Sequence, residues 1–418
     1  MRLALAKQTR STGRQWIGRW TALLFGLGGS LGMASAQVLL TPPGGGGIIR
    51  LHNTDMAVFE AGDERKDLPC TVVNDKPFLG FDLKFHSGYD VTVPLRELAG
   101  NENLLTILFR VSLENRRNAP VYFMQRVRVP DIEEDAKGEA LLQGAFDLGE
   151  GKYHIDWLVR DRAERVCSSS WDVEAKLSAK DTQMALNIPA GAILPVEGTQ
   201  FREEPPVERA ASDLLNLKVL VNFAPQRALA STLRPIDTAA LVSLLRTLSR
   251  DPRIGKFSLV AFNIQEQRVI YRQASADRIN FPALGESLSQ INPGTVDLKR
   301  LAQKNGGTEF LADLMLEELG SAGQNDAVIF AGPKAMLEAN IPQEQLKRIG
   351  DIDVPVFYMN YILNPFANPW RDSIGQAVKA LKGVEFTISK PRDLWFAVSD
   401  MVSRLVKNRN AKQVAAVH

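Results

Sequence analysis

Cysteine and histidine are scarce here: the 418 residues include two cysteines and four histidines. Cys70 and Cys167 lie far outside the Cys-x-x-Cys spacing of redox and zinc sites, which argues against a catalytic thiol. The histidines are His52, His86, His154 and His418, so the second half of the chain has no internal imidazole for acid–base work. No Gly-x-Ser-x-Gly elbow is present either, which removes the Ser-His-Asp option. Phosphate-cradling glycine loops, Gly-x-Gly-x-x-Gly and His-Glu-x-x-His are likewise missing. Excess charge is lacking once its location is considered. Five of the 50 basic residues (Arg2, Lys7, Arg10, Arg14, Arg19) fall in the first 36 positions, which hold no acid, leaving 45 basic against 48 acidic residues. Nucleic-acid binding by counterion release needs a dense basic surface, and no surplus remains to build one.

What those first residues do carry is an address. A basic stretch ending at Arg19, an apolar run over 20–31 and the triplet Ala34-Ser35-Ala36 form the three-part pattern of a secretory signal peptide, cleaved after Ala36. The run is shorter than the roughly 20 residues that span a bilayer, and no later segment is long and apolar enough to do so. A periplasmic or extracellular protein is expected. Residues 37–54, with Pro42-Pro43 and Gly44 to Gly47, read as a flexible leader. In an oxidising compartment an even pair of cysteines invites a Cys70–Cys167 disulfide; two unpaired buried thiols are the other reading.

Two periodicities divide the remainder. Over 55–177 the apolar pattern has period two, in 78–85 (FLGFDLKF), 104–113 (LLTILFRVSL), 121–129 (VYFMQRVRV) and 153–159 (YHIDWLV). Turn signals at 74–77, 86–88, 116–120 and 149–151 separate these runs, which predicts short antiparallel strands in a sandwich. Tyr153, Ile155, Trp157 and Val159 alternate on one face, 161–164 makes a turn, and 166–173 returns as a hairpin carrying Cys167. His154 between them reads as a solvent-side or capped strand residue. A bridge to Cys70 would tie this hairpin to an early strand, as inter-sheet disulfides do in immunoglobulin-like sandwiches, a likeness of architecture only. Residues 178–212 are proline-rich and polar, a linker.

Beyond the linker the period changes. The run 217–223 (LKVLVNF) suits a buried parallel strand, and Leu241, Leu244, Leu245 and Leu248 line one helix face. Strands at 257–262 and 268–271 share a short turn. Further strands at 327–330, 354–362 and 384–388 alternate with helices, giving β-α-β-β-α-β-α-β-α-β-α and a mostly parallel sheet covered on both faces.

That order resembles the von Willebrand factor type A fold over about 217–406. Gly306-Gly307-Thr308 is similar to the family's Gly-Gly-Thr segment, whose threonine reaches a bound metal. The chain also resembles exported acidobacterial proteins that join such a domain to other modules behind a signal peptide. The expected architecture is therefore an N-terminal all-β immunoglobulin-like sandwich (55–177), read from its strand periodicity, then the domain that the resemblance implies to be α/β, von Willebrand factor A-like and Rossmann-type (213–407), and a tail (408–418). In that family the first strand ends in Asp-x-Ser-x-Ser; here Asn222-Phe223-Ala224-Pro225-Gln226 stands there. A second acid is expected after 327–330, where Ala331-Gly332-Pro333 occurs. A hard cation is normally held by at least one carboxylate, so no adhesion-site metal and no cofactor are expected.

Asn222 and Gln226 either cap the strand end or, with Thr308, form a metal-free rim that binds a partner. Tyr361, Phe366 and Trp370, on the segment leaving the 354–362 strand, either anchor an interface or pack into the domain. The expectation is a non-enzymatic binding protein with a protein partner. The rivals are a hydrolase with dispersed carboxylates and a structural subunit of an envelope assembly.

Overall fold

The computed structural model describes residues 4–6, 38–40, 53–100, 103–196, 200–209, 214–226, 233–289, 305–320, 325–337, 339–348, 354–364, 366 and 369–417. The expected signal peptide and leader lie outside these residues, apart from the short strands β1 (Ala4–Ala6) and β2 (Val38–Leu40) and the start of helix α1 (Asn53–Ala61). The chain divides into two compact units, Met1–Gly198 and Thr199–His418.

In the first unit, β3 (Thr71–Leu79), β4 (Phe85–Pro94), β5 (Leu104–Leu113), β6 (Arg116–Arg128), β7 (Glu139–Leu148), β8 (Gly151–Arg160), β9 (Val166–Ala175) and β10 (Ile193–Pro195) form two antiparallel sheets. Their orders are β1-β7-β4-β3, with β10 also on β7, and β2-β6-β5-β8-β9. Both sheets contribute to one core, where Tyr89 meets Trp157 edge-on at 5.3 Å and Phe109 stacks on Phe123 at 4.8 Å. Leu108 and Leu158 point the other way and pack under Val58 and Phe59 of α1. Covered on both faces, β5 is largely apolar, while β8 alternates and carries His154, Asp156 and Arg160 on the face of Leu158. Cys70 and Cys167 are disulfide-bonded, with Cα atoms 6.3 Å apart, joining the residue before β3 to β9.

One predicted strand is corrected. Residues 78–85 span the end of β3, a turn and the start of β4, with Gly80 donating to the Lys84 carbonyl at 2.9 Å and Leu83 at φ 59°. Leu83 is buried although it stands in the turn, so the apolar alternation runs through it. The signals at 74–77 and 86–88 accordingly fall inside strands. The segment 178–212 is shared between the units: Ile193–Pro195 pairs with β7, while Glu204 accepts from Arg250 at 2.7 and 3.1 Å in the second unit.

The second unit holds β11 (Leu215–Asn222), α2 (Pro235–Arg250), β12 (Ile254–Asn263), β13 (Arg268–Ala276), α3 (Phe281–Ser289) and α4 (Gly306–Gly320). It continues with β14 (Ala327–Pro333), α5 (Gln343–Arg348), β15 (Val356–Tyr361), α6 (Ser373–Ala380), β16 (Val384–Ile388) and α7 (Pro391–Val417). Helix α3 is an addition to the predicted order, and α7 runs on through the residues read as a tail. The sheet order is β13-β12-β11-β14-β15-β16, parallel except for the β12–β13 hairpin. Alternate residues of β11 serve opposite faces, with Leu220 packed among side chains of α4 and α6. On the other face, Tyr361 donates to the Ala240 carbonyl of α2 at 3.1 Å. The order reverses between β11 and β14, and the carboxyl ends of those strands form the crevice where ligands collect in open α/β sheets.

Candidate functional site

At this crevice most side-chain polar groups are engaged by the protein itself, the buried Asn222 Nδ2 being an exception. Asn222, ending β11, is 1% exposed and its Oδ1 accepts from the Ile264 amide at 3.2 Å. Gln226 clasps the backbone of residue 364: its Nε2 donates to the Asn364 carbonyl and its Oε1 accepts from the Asn364 amide, both at 2.9 Å. Thr308, in the first turn of α4, is buried and donates to the Ala339 carbonyl at 3.0 Å. Tyr361 is buried, and burial pushes its phenol far above the usual range. Gly332 stands where a second acid was sought. Its φ of +146° suits glycine, and a Cβ there would lie 2.8 Å from that of Asn222. The packing leaves no room for a side chain at position 332.

One carboxylate does reach the crest, from the first turn of α2. Asp237 borders a small pocket with Gln226 and Tyr361, yet both its oxygens are engaged by the Arg234 guanidinium, at 2.7 and 2.8 Å. The pocket has room for about one water.

Phe366 and Trp370 differ from their four companions. Phe366 is fully exposed and Trp370 is 82% exposed, with the Arg371 guanidinium 4.6 Å over the indole ring. Asn222, Gln226, Thr308 and Tyr361 are therefore interior supports, and these two aromatics stand in solvent beyond them.

Two ionisable constellations went unnoticed in the sequence. In the first unit His86 donates through both ring nitrogens, to Asp147 at 2.8 Å and to Asp82 at 3.0 Å, while the Lys84 ammonium reaches Asp147 at 3.2 Å. Burial opposes the charged ring, but hydrogen bonds to Asp147 and Asp82, together with their charges, outweigh it and hold the pKa at about 10. These three residues could ligate a metal by proximity. A protonated ring has no lone pair to offer, however, and the lysine beside Asp147 repels a cation. The only hint in the sequence was charge at every second position, Asp82, Lys84 and His86, inside an apolar run. His154, on β8, lies 2.8 Å from Asp172 and 3.3 Å from Asp156, a paired strand histidine.

In the second unit Asn360 of β15, Asp372 before α6 and Glu385 of β16 come together. Asn360 is fully buried and its Nδ2 donates to Glu385 at 2.9 Å; Asp372 accepts from the Ala335 amide at 3.3 Å. Burial raises the Asp372 pKa and Glu385 adds to the rise, against the opposing Gly375 and Ala335 amides. Residues 12 and 13 positions apart on three elements leave no motif to find.

No protein-family model matches the chain, and no curated protein matches it. Among solved structures it is similar to the PilB minor pilin of Streptococcus sanguinis at 9% identity and TM-score 0.29, over 72% of this chain and 88% of that one. Proximal thread matrix protein 1 of mussel byssus, with a zinc-occupied MIDAS motif, matches at 9% identity and TM-score 0.25, over 45% of this chain. The chain spans about half the length of that mussel protein, 47%. A β-glucuronidase of Bacteroides uniformis matches at 9% identity and TM-score 0.19, over 75% of this chain and 38% of that one. Similarity at these TM-scores carries no conclusion about function. What stands independently of them is a mixed sheet of parallel strands flanked by helices, a disulfide, and no described helix long and apolar enough to cross a membrane.

Proposed function

We propose that this is an exported, non-enzymatic binding protein whose second unit, a von Willebrand factor A-like domain with a crest held by amides, docks a protein partner through Phe366 and Trp370. The observation that carries this reading is the exposure of both rings next to a rim otherwise closed by its own hydrogen bonds. Large aromatics cost free energy in water and are the residue types that dominate interface energetics. The disulfide supports export, since such bonds persist in oxidising compartments. The first unit is read as an immunoglobulin-like sandwich, supported by its two antiparallel sheets, their common core and Trp157 within it. A hydrolase would need two carboxylates facing one cleft with a free path for water. The cluster at His86 has its carboxylates bound by His86 and Lys84, which argues against such chemistry there.

The test places a photo-crosslinking residue at 366 or 370 in the native envelope. One dominant protein adduct is expected from both positions and none from position 396 of α7, another exposed aromatic. Phe366→Ala/Trp370→Ala should abolish complex formation with that protein while leaving the melting temperature unchanged. Full affinity in the double variant would overturn the reading.

A further inference from the structure

Phe366 and Trp370 do not stand alone. Four of the five large apolar side chains exposed among the described residues of the second unit follow the carboxyl ends of β11, β14 and β15. Besides the two rings these are Ile236, 50% exposed in the first turn of α2, and Met336, 48% exposed beyond β14. Each is tied to the segment that carries the rings. The Ser373 amide donates to the Ala335 carbonyl at 2.8 Å, which sets Met336 beside residues 370–373. Asp237, next to Ile236, borders the same small pocket as Tyr361 and Leu363. A surface that gathers its exposed apolar groups at one end marks an interaction site rather than a scatter of tolerated residues.

Charge at this end is sorted as well. Both oxygens of Asp237 are held by Arg234, Asp393 accepts from the Ser389 and Lys390 amides at 3.0 Å, Asp372 accepts from Ala335 and Glu385 from Asn360. The carboxylates are thus occupied within the unit. Lys334, the residue after β14, and Arg371 pair with no carboxylate among the described residues. The Arg371 guanidinium lies 4.6 Å over the Trp370 ring, so its N–H groups are left for a partner beside an apolar face.

We propose that the crest receives an acidic segment of the protein partner, with carboxylates that meet Lys334 and Arg371 and apolar side chains that cover Ile236, Met336, Phe366 and Trp370. This rests on the docking reading above and adds the chemistry of what docks. Lysine and arginine at the rim of an apolar patch select partners by sign, and a basic or neutral segment would leave both cations unpaired. An arginine fork beside an aromatic ring suits a carboxylate, which it can meet with two parallel hydrogen bonds. A bilayer surface fits less well: the guanidinium covers one face of the indole, so the ring cannot sink toward hydrocarbon without taking that charge with it.

Display of random dodecapeptides against the immobilised full chain, followed by anisotropy titration of a labelled copy of the most enriched peptide, tests this. The enriched peptides should combine Asp or Glu with Leu, Phe or Trp, and raising salt from about 0.05 to about 0.5 M should weaken binding several-fold. Lys334→Glu/Arg371→Glu should weaken it about tenfold. Lys256→Glu, near the amino end of β12, should leave it unchanged. Ile236→Ser and Met336→Ser should each weaken it a few-fold, and Phe366→Ala/Trp370→Ala about tenfold or more. Enrichment of basic or uncharged peptides, or unchanged affinity in Lys334→Glu/Arg371→Glu, would overturn the inference and leave docking through the rings standing. Unchanged affinity in Phe366→Ala/Trp370→Ala would overturn both. Phosphatidylglycerol vesicles binding through the same residues, with no peptide enriched, would assign the patch to a membrane surface and overturn the inference equally.

Discussion

His86 offers a titration that can be read against the structure. Its ring is held between Asp82 and Asp147, with Lys84 on the far oxygen of Asp147, and folding lifts its pKa from 6.5 to about 10. A group whose pKa rises on folding stabilises the native state fully below its unfolded value and loses that contribution as pH climbs through the folded one. The window here runs from 6.5 to about 10. At about 1.4 kcal/mol per pH unit the ceiling is roughly 5 kcal/mol. The side chain is 23% exposed and three charges share the network, so a realistic figure is about 2–3 kcal/mol. Urea unfolding of the full chain across this range, beside His86→Gln to cancel every other titration, should show the difference in stability shrink by that amount. Carbon-13 labelling of the four histidines gives a direct reading, because the His86 resonance should hold its protonated position beyond pH 9. A resonance titrating near pH 6.5, or a difference flat between pH 6.5 and 9.5, would refute the reasoning.

The disulfide and the buried Glu204 give two further expectations. Cys70→Ser/Cys167→Ser opens a loop with a sequence separation of 97, for which chain entropy sets a ceiling of about 4–5 kcal/mol; a loss of about 2–4 kcal/mol should appear as a lowered first-unit transition in calorimetry. Glu204 is 6% exposed, hydrogen-bonded by Arg250 at 2.7 Å and ion-paired with Arg246 at 3.1 Å, so Glu204→Gln leaves two guanidinium groups short of their anion. A loss of about 3 kcal/mol is expected. With it, proteolysis should become faster at 200–209 and not at 193–195, whose strand bonds go to β7.

How much of this was legible depended on whether neighbours in space were also neighbours in sequence. The β8–β9 hairpin could be read directly, because Tyr153, Ile155, Trp157 and Val159 alternate and the turn follows at once. The α/β order was legible for a similar reason: buried parallel strands are unbroken apolar runs, and Leu241, Leu244, Leu245 and Leu248 repeat at helical spacing. Strand β7 was missed because Gly144 and Gln143 interrupt its alternation, and a glycine is needed there: a Cβ would come 2.3 Å from the Tyr89 ring. Of the six candidate rim residues, Asn222, Gln226, Thr308 and Tyr361 are buried while Phe366 and Trp370 are exposed, a division that the sequence does not carry. Nothing in a sequence tells that the Gln226 side chain will find both polar groups of residue 364, some 138 positions away. The carboxylates at 372 and 385 were passed over for the same reason, since they stand on separate elements.

The amide of Gln226 at the crest has its own logic. A carboxylate at 226 would accept from the Asn364 amide but would face the Asn364 carbonyl oxygen, now 2.9 Å from a donor, with a second acceptor. Only an amide, with one donor and one acceptor on the same planar group, satisfies both. Gln226 therefore makes a pair of loops hold each other. Residue 364 is also where the chain departs toward Phe366 and Trp370, so the clasp fixes the root of the segment carrying both exposed rings. Fixing that root in advance removes part of the ordering entropy that docking would otherwise cost. A root clasped by the protein's own amides is, by this physics, suited to presenting aromatics.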